Sequence, residues 1–264
     1  MGPPEAAPDA GFGVDCDGRA MTDQTDDDRF QALFAGKPGS VLGEFREPEP
    51  TPERKKLVEA KERWAKEGGK PRKPRPEQST DERLPPGQHR TKDWPVLDLG
   101  HQPAIDTRDW QLSVAGLVER PLKWDWDTFL AQPQTDSVSD IHCVTDWSRY
   151  DNTWQGVRMA HVLASAELRP EARFCVIHGY DGYITNVPLA RLQQDNVMLA
   201  HSWEGTPIPR NHGGPVRLII PDLYFWKSAK WVRHMMFMDA DTPGYWEARG
   251  YHNDGDPWKE ERYE

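Results

Sequence analysis

Apolar positions in this chain fall into short runs broken by Gly and Pro, and they begin late. From Trp110 the order Trp-Gln-Leu-Ser-Val alternates with a period of two and stops at Gly116. That pattern predicts a half-buried strand closing in a turn. Residues 125–131 predict one or two helical turns, and residues 158–168 a helix that carries Val162, Leu163 and Ala166 on one face ahead of Pro170. Residues 174–177, 197–200, 216–220 and 231–238 are apolar stretches of strand length, read as buried strands. A further short strand is predicted to end at Cys143. Strands and helices do not alternate regularly and no repeat is present, which argues against a doubly wound parallel sheet. The predicted fold is α+β: β-rich mixed sheets with short helices, over residues 81–264.

The pattern is absent before residue 80. Of the 12 Trp only Trp64 lies there, while acids crowd residues 1–30 and basic residues crowd residues 53–76 with Pro between them. Such blocks bury too little apolar surface to order themselves. Residues 1–80 therefore read as a largely disordered, polar, charged tail with one helix over residues 52–67. Thr51 is its expected N-cap, Pro52 its first position and Gly68-Gly69 its stop. The basic run of that helix reads either as a docking patch or as a solvated surface.

Charge narrows the partners. A net charge of −10 argues against nucleic acid or an anionic membrane as the main partner. No apolar run approaches the roughly 18 residues of a membrane span, so membrane insertion is not expected. Three Cys make no disulfide framework. The first residues lack a basic segment followed by an apolar one, and there is no Arg-Arg pair. The expected location is cytoplasmic.

The chain carries no GxGxxG, Walker A, HExxH, GxSxG or CxxC motif. The commonest nucleotide, zinc-protease, serine-hydrolase and dithiol readings fall with them. Cys16 lies in the tail, and Cys175 lies in the strand core Arg-Phe-Cys-Val-Ile, where Cys is usually a small buried hydrophobe. Cys143 differs. It follows His142 at a predicted strand end, flanked by polar and aromatic residues, where a thiolate can serve as nucleophile or metal ligand and a structural role is equally open. One protein thiolate completes a metal site only if a cofactor brings the other soft ligands, as the dithiolene of molybdopterin does. Such a cofactor also needs cations for its phosphate and polar groups for its pterin. Asn211-His-Gly-Gly-Pro-Val-Arg217 and Tyr224-Phe-Trp-Lys-Ser-Ala-Lys-Trp231 offer both.

Taken in order, several segments of residues 84–264 resemble the sulfite oxidase superfamily of molybdopterin oxidoreductases, in particular bacterial members without haem or dimerisation domains. They are Pro103-Ala-Ile-Asp106, Trp110-Gln-Leu-Ser-Val-Ala-Gly116, His142-Cys-Val-Thr-Asp-Trp-Ser148, His212-Gly-Gly-Pro-Val-Arg217, Lys227-Ser-Ala-Lys-Trp231 and Pro243-Gly-Tyr-Trp-Glu247. The resemblance implies a Mo-molybdopterin cofactor and oxygen-atom transfer. It implies Cys143 as catalytic residue and molybdenum ligand, and His101, His178, His212, Arg217, Ser228, Ala229 and Lys230 as cofactor-binding residues. Trp147, Tyr180 and Asp181 are candidates for the substrate side. The chain has no haem or iron–sulfur motif, so a separate electron-transfer partner is expected; the missing dimerisation domain points to a monomer.

One departure from the family bears on substrate. Where sulfite oxidases place basic residues after the ligating Cys, this chain has Val144-Thr-Asp-Trp. Asp146, and Asp151 beyond it, would repel a dianion if they faced the site, with Arg149 partly compensating. The expected substrate is therefore a small neutral S-oxide or N-oxide. Sulfite oxidation, or a non-catalytic cofactor-binding or sensor protein of the same fold, are the alternatives.

Overall fold

The computed structural model describes residues 52–67 and 82–264. The remainder of the predicted tail, with Thr51, Gly68-Gly69 and Cys16, lies outside them. The helical elements are α1 (Pro52–Lys66), α2 (Trp126–Ala131), α3 (Met159–Ala166) and α4 (Leu189–Leu192). The strands are β1 (His89–Arg90), β2 (Gln111–Gly116), β3 (Leu122–Asp125), β4 (Gln134–His142), β5 (Trp147–Arg158), β6 (Phe174–Gly179), β7 (Ile184–Pro188), β8 (Met198–Trp203), β9 (Thr206–Pro207), β10 (Arg217–Ile219) and β11 (Val232–Met238).

Two mixed sheets result. In the six-stranded sheet β1, β5, β8 and β10 run side by side, with β4 on β5 and β9 on β8; the five-stranded sheet has the order β3-β2-β11-β6-β7. β1 lies parallel to β5 and β2 parallel to β11, and the other pairs are antiparallel. The predicted α+β, β-rich fold with short helices is the one observed. No described helix is long and apolar enough to cross a membrane.

Local chemistry accounts for several elements. Asp125 caps α2 by accepting a hydrogen bond from Thr128 N, which satisfies one of the helix's free donors. α3 buries Met159, Val162, Leu163 and Ala166; each of the larger side chains contributes roughly 1.5–3 kcal/mol by leaving water. Gly156 sits at a bulge where β5 crosses β8, and a Cβ there would lie 2.0 Å from Leu199 O.

The strand expected to end at Cys143 is longer than predicted. β4 starts at Gln134 and pairs along its length with β5 through a tight connection at residues 143–146. β1 pairs with the start of β5, and Trp94 beyond it packs against Trp154 of β5 and Trp203 of β8. Helix α1 packs on the same unit. Its Ala65 is buried, Arg249 Nε meets Glu62 Oε1 at 2.8 Å, and the Trp64 and Tyr263 rings lie 6.2 Å apart.

Candidate active site

Cys143 stands at the first position of the β4–β5 connection. Its N–H donates to Trp147 O and its carbonyl accepts from Asp146 N and from Gln88 Nε2, so the turn is fixed from both sides. Asp146 closes the turn with φ +81°, a left-handed conformation that Asp tolerates better than most residues. Cys143 Sγ lies 3.1 Å from Thr145 Oγ1. Burial pushes the thiol's pKa up, opposed by Thr145 and by the charges of Lys61 and Arg262. His142 takes another direction: its Nδ1 lies 2.8 Å from Ser148 Oγ. The two neighbours make separate contacts and form no catalytic dyad.

Cys143 opens into a cavity. One wall comes from the segment between β9 and β11. Gly213, at φ +107°, allows the chain to pass against Lys230, where a Cβ would stand 2.9 Å from Lys230 Cβ. Arg217 leaves β10 into the interior, donating to His212 O at 2.6 Å and Ser228 O at 2.9 Å. Its guanidinium lies against the rings of Phe225 and Trp94. Burial lowers its pKa to about 9, which still leaves it charged at neutral pH. Lys230 donates to Asn211 O at 2.8 Å, and burial, then Arg217, lower its pKa to about 8. His212 stacks on Trp94 at 3.9 Å and is held neutral, with a pKa of about 4, by burial and by Arg217 and Lys230.

Aromatic residues also line it: Trp226, Trp246 and Tyr251, with Leu97 and Leu99 from the covering loop. Lys61 of α1 and Asp98 also reach this cavity.

Six residues singled out in the sequence meet here: Cys143, His212, Arg217, Ser228, Ala229 and Lys230. Ser228 Oγ accepts from Ile220 N, so its side chain braces the backbone. Trp147 and Asp181 also line the cavity; Tyr180 does not, its hydroxyl bonding to the backbone of Gln111. His101 and His178 stand off the wall. His101 follows the Asp98–Leu99 stretch in the covering loop, and His178 faces His234 across the five-stranded sheet, with ring centroids 5.4 Å apart. Asp146 is turned away, its Oδ1 3.2 Å from Arg262 Nη1. Asp151 pairs with Arg83 and Arg149 with Glu204, so neither of these charges lines the cavity. The sequence reading gave no site role to Lys61, Trp94 or Asp98, nor to Trp246 and Tyr251, although the last two lie in segments, 243–247 and 250–252, that carry the family resemblance. For Lys61 the only signal was the basic character of its helix.

Two buried polar atoms on the cationic wall, His212 Nδ1 and Arg217 Nε, have no partner among the described residues. Buried polar atoms normally have one, so this wall fits a polar, anionic ligand. Cys143 adds a single soft donor suited to a thiophilic metal. Residues 99–246 match the oxidoreductase molybdopterin-binding domain. The chain belongs to the sulfite oxidase family of molybdopterin oxidoreductases. It is 43% identical over 182 residues to the uncharacterised oxidoreductase YuiH of Bacillus subtilis (strain 168), covering 69% of this chain and 92% of that protein. It is 29% identical to the protein-methionine-sulfoxide reductase catalytic subunit MsrP of Ralstonia nicotianae and 34% identical to the mitochondrial sulfite oxidase of Rattus norvegicus. Those matches cover 52% and 37% of this chain, and 46% and 20% of the relatives' own lengths. Among solved structures, the sulfane dehydrogenase SoxCD of Paracoccus pantotrophus aligns with a TM-score of 0.49 at 25% identity, over 53% of this chain and 40% of that one.

The family member described here is thus a molybdopterin-dependent oxidoreductase, and Mo-molybdopterin is its cofactor. When bound, that cofactor supplies oxygen-atom transfer with two-electron redox chemistry.

Proposed function

We propose that this oxidoreductase transfers an oxygen atom from a small neutral S-oxide or N-oxide, with electrons delivered by a separate redox protein. Cys143 ligates the molybdenum. Arg217 and Lys230 hold the cofactor phosphate, and His212 with the backbone of Ser228 and Ala229 holds the pterin. The aromatic lining formed by Trp226, Trp246 and Tyr251 excludes water and packs the apolar body of the substrate.

The observation that carries this reading is the lining of the cavity beside Cys143, which combines the cations Arg217 and Lys230 with the aromatic residues Trp226, Trp246 and Tyr251. The cationic groups match the cofactor, which leaves the aromatic lining for a substrate with an apolar body. The methionine sulfoxide named for the Ralstonia relative has that character. The experiment is steady-state kcat/KM on the molybdenum-loaded protein, with a reduced viologen as donor for methyl sulfoxides and an artificial acceptor for sulfite. A clear preference for the sulfoxide is expected; efficient sulfite oxidation without oxide reduction overturns the reading.

The second reading is sulfite oxidation. It is favoured by Lys61, a third cation on the cavity, together with the absence of Asp146 from its walls.

A further inference from the structure

Helix α1 lies outside the residues that match the family, yet it supplies a wall of the cavity. Its attachment is specific. Ala65 is buried against the segment after Trp246, where a Cβ on Gly250 would come within 3.3 Å of Ala65 Cβ. Glu62 pairs with Arg249. One helical turn before Ala65, on the same face, Lys61 enters the cavity with its Nζ 5.1 Å from the centroid of the Trp246 ring.

Lys61 differs from the other cations nearby. Lys230 is committed to Asn211 O, Lys227 to Glu247, and Arg217 to two carbonyls. Among the described residues, none accepts a hydrogen bond from Lys61 or forms an ion pair with it. Its charge rests on the Trp246 π face and on longer-range attraction to Cys143 and Asp98, while burial works against it. A partly buried ammonium with no hydrogen-bond acceptor among the described residues, on the same cavity as Cys143, is a site for a negative oxygen.

We propose that Lys61 is a substrate-binding residue, donating a hydrogen bond to the oxide oxygen and thereby fixing which atom of the substrate faces Cys143. The inference rests on the oxide reading above and names the part of the substrate that the chain recognises. An S–O or N–O bond is strongly polar, with its negative end on oxygen, so one ammonium beside an aromatic wall suits an otherwise apolar molecule. The helix that brings Lys61 is outside the matched domain, residues 99–246.

The test uses full-length, molybdenum-loaded protein and the variants Lys61→Met, Lys61→Gln and Lys61→Arg. With methyl sulfoxides and a reduced viologen, Met and Gln are expected to raise KM by about tenfold or more, equivalent to about 1.4 kcal/mol or more of binding. Molybdenum content and thermal midpoint should stay at the parent's values, and Arg should restore most of the affinity. A second readout is independent of turnover. Inorganic sulfate titrated into the oxidised protein should change tryptophan fluorescence saturably, through Trp246, with at least tenfold weaker binding in Lys61→Met. Unchanged KM and sulfate affinity in Lys61→Met, or loss of molybdenum from it, overturns the inference and leaves the oxide reading standing. A parent that reduces no oxide but binds sulfate in a Lys61-dependent way overturns the oxide reading and supports Lys61 as the oxygen-binding cation.

Discussion

Lys227 Nζ and Glu247 Oε1 meet at 2.6 Å with 0% and 2% of their side chains exposed. Lys227 also donates to Asn186 O and Oδ1, and Glu247 Oε1 also accepts from Thr185 Oγ1 and Trp226 Nε1. The pair ties the segment carrying Ser228–Lys230 to the turn carrying Trp246 and Tyr251, and so joins two segments that line the cavity. Removing one partner leaves an uncompensated buried charge, which costs about 3–5 kcal/mol. Lys227→Met or Glu247→Leu should lower the thermal midpoint by roughly 10 °C, while the double variant should lose less than the two single losses together. Single-variant midpoints within about 2 °C of the parent would show that the pair does not hold the walls.

Cys143 and Cys175 are both buried thiols, yet only Cys143 faces the cavity. Cys143→Ser should abolish molybdenum-dependent turnover, because a hydroxyl is a harder and poorer partner for this metal. Cys175 lies within β6 with Sγ near Val176 O. Its replacement by Ser should keep molybdenum and activity, at a stability loss of about 1–3 kcal/mol for a poorly satisfied hydroxyl. Metal analysis and denaturant midpoints check both; activity in Cys143→Ser equal to the parent's would remove the residue from the site.

How legible the molecule was in its sequence depends on what each strand buries. β2, β6, β8, β10 and β11 carry apolar runs or clean alternation and were read within a few residues. β4 was almost missed because it is an edge strand paired only with β5, so its row is mostly Gln, Thr, Asp and Ser, and Val138 is left exposed. β5 was missed although it alternates: its inward row Tyr150, Asn152, Trp154, Gly156 includes a buried amide and a glycine, which blur the hydrophobic period. The cationic wall was readable because one contiguous motif, residues 211–217, folds back on another, residues 224–231. Trp246 lies in a segment that carried the resemblance but gave no sign of a site role, Lys61 lies in a basic helix with no motif of its own, and only the tertiary packing of α1 on the turn after Trp246 brings them together.

Asp146 shows how closeness in sequence misleads. Three residues after Cys143, it was expected to repel anions if it faced the site. Its left-handed backbone instead directs the carboxylate to Arg262, which also donates to Val144 O at 2.9 Å and Pro86 O at 3.2 Å. Asp146→Asn should therefore change the ratio of kcat/KM for sulfite to that for methyl sulfoxide by less than about threefold, under 1 kcal/mol. Its main effect should be on stability, through a weakened contact with the largely buried Arg262. A tenfold gain in sulfite turnover in this variant would restore Asp146 as an electrostatic guard.

The last prediction concerns acid. His178 and His234 are paired across β6 and β11, and Ser113 Oγ lies 2.7 Å from His234 Nδ1. Burial pushes the pKa of His178 down to about 4, with Arg233 adding to the effect; burial, then His178 and Arg233, push His234 down to about 3. Both pKa values lie below the unfolded value of 6.5, so between them the unfolded chain binds more protons than the folded one. The stability tied to these neutral rings is fully present above pH 6.5 and is lost as pH falls through 4 toward 3. For His178 alone the difference is on the order of 3 kcal/mol. Urea midpoints at pH 7, 5.5 and 4.5 should fall steadily in the parent and less steeply in His178→Gln, which has no proton to gain. The same variant should keep its molybdenum, because the ring is not on the cavity wall. An acid response in His178→Gln as steep as the parent's would mean that this histidine is not what acid attacks, and loss of molybdenum would return His178 to the cofactor site that the family resemblance implies.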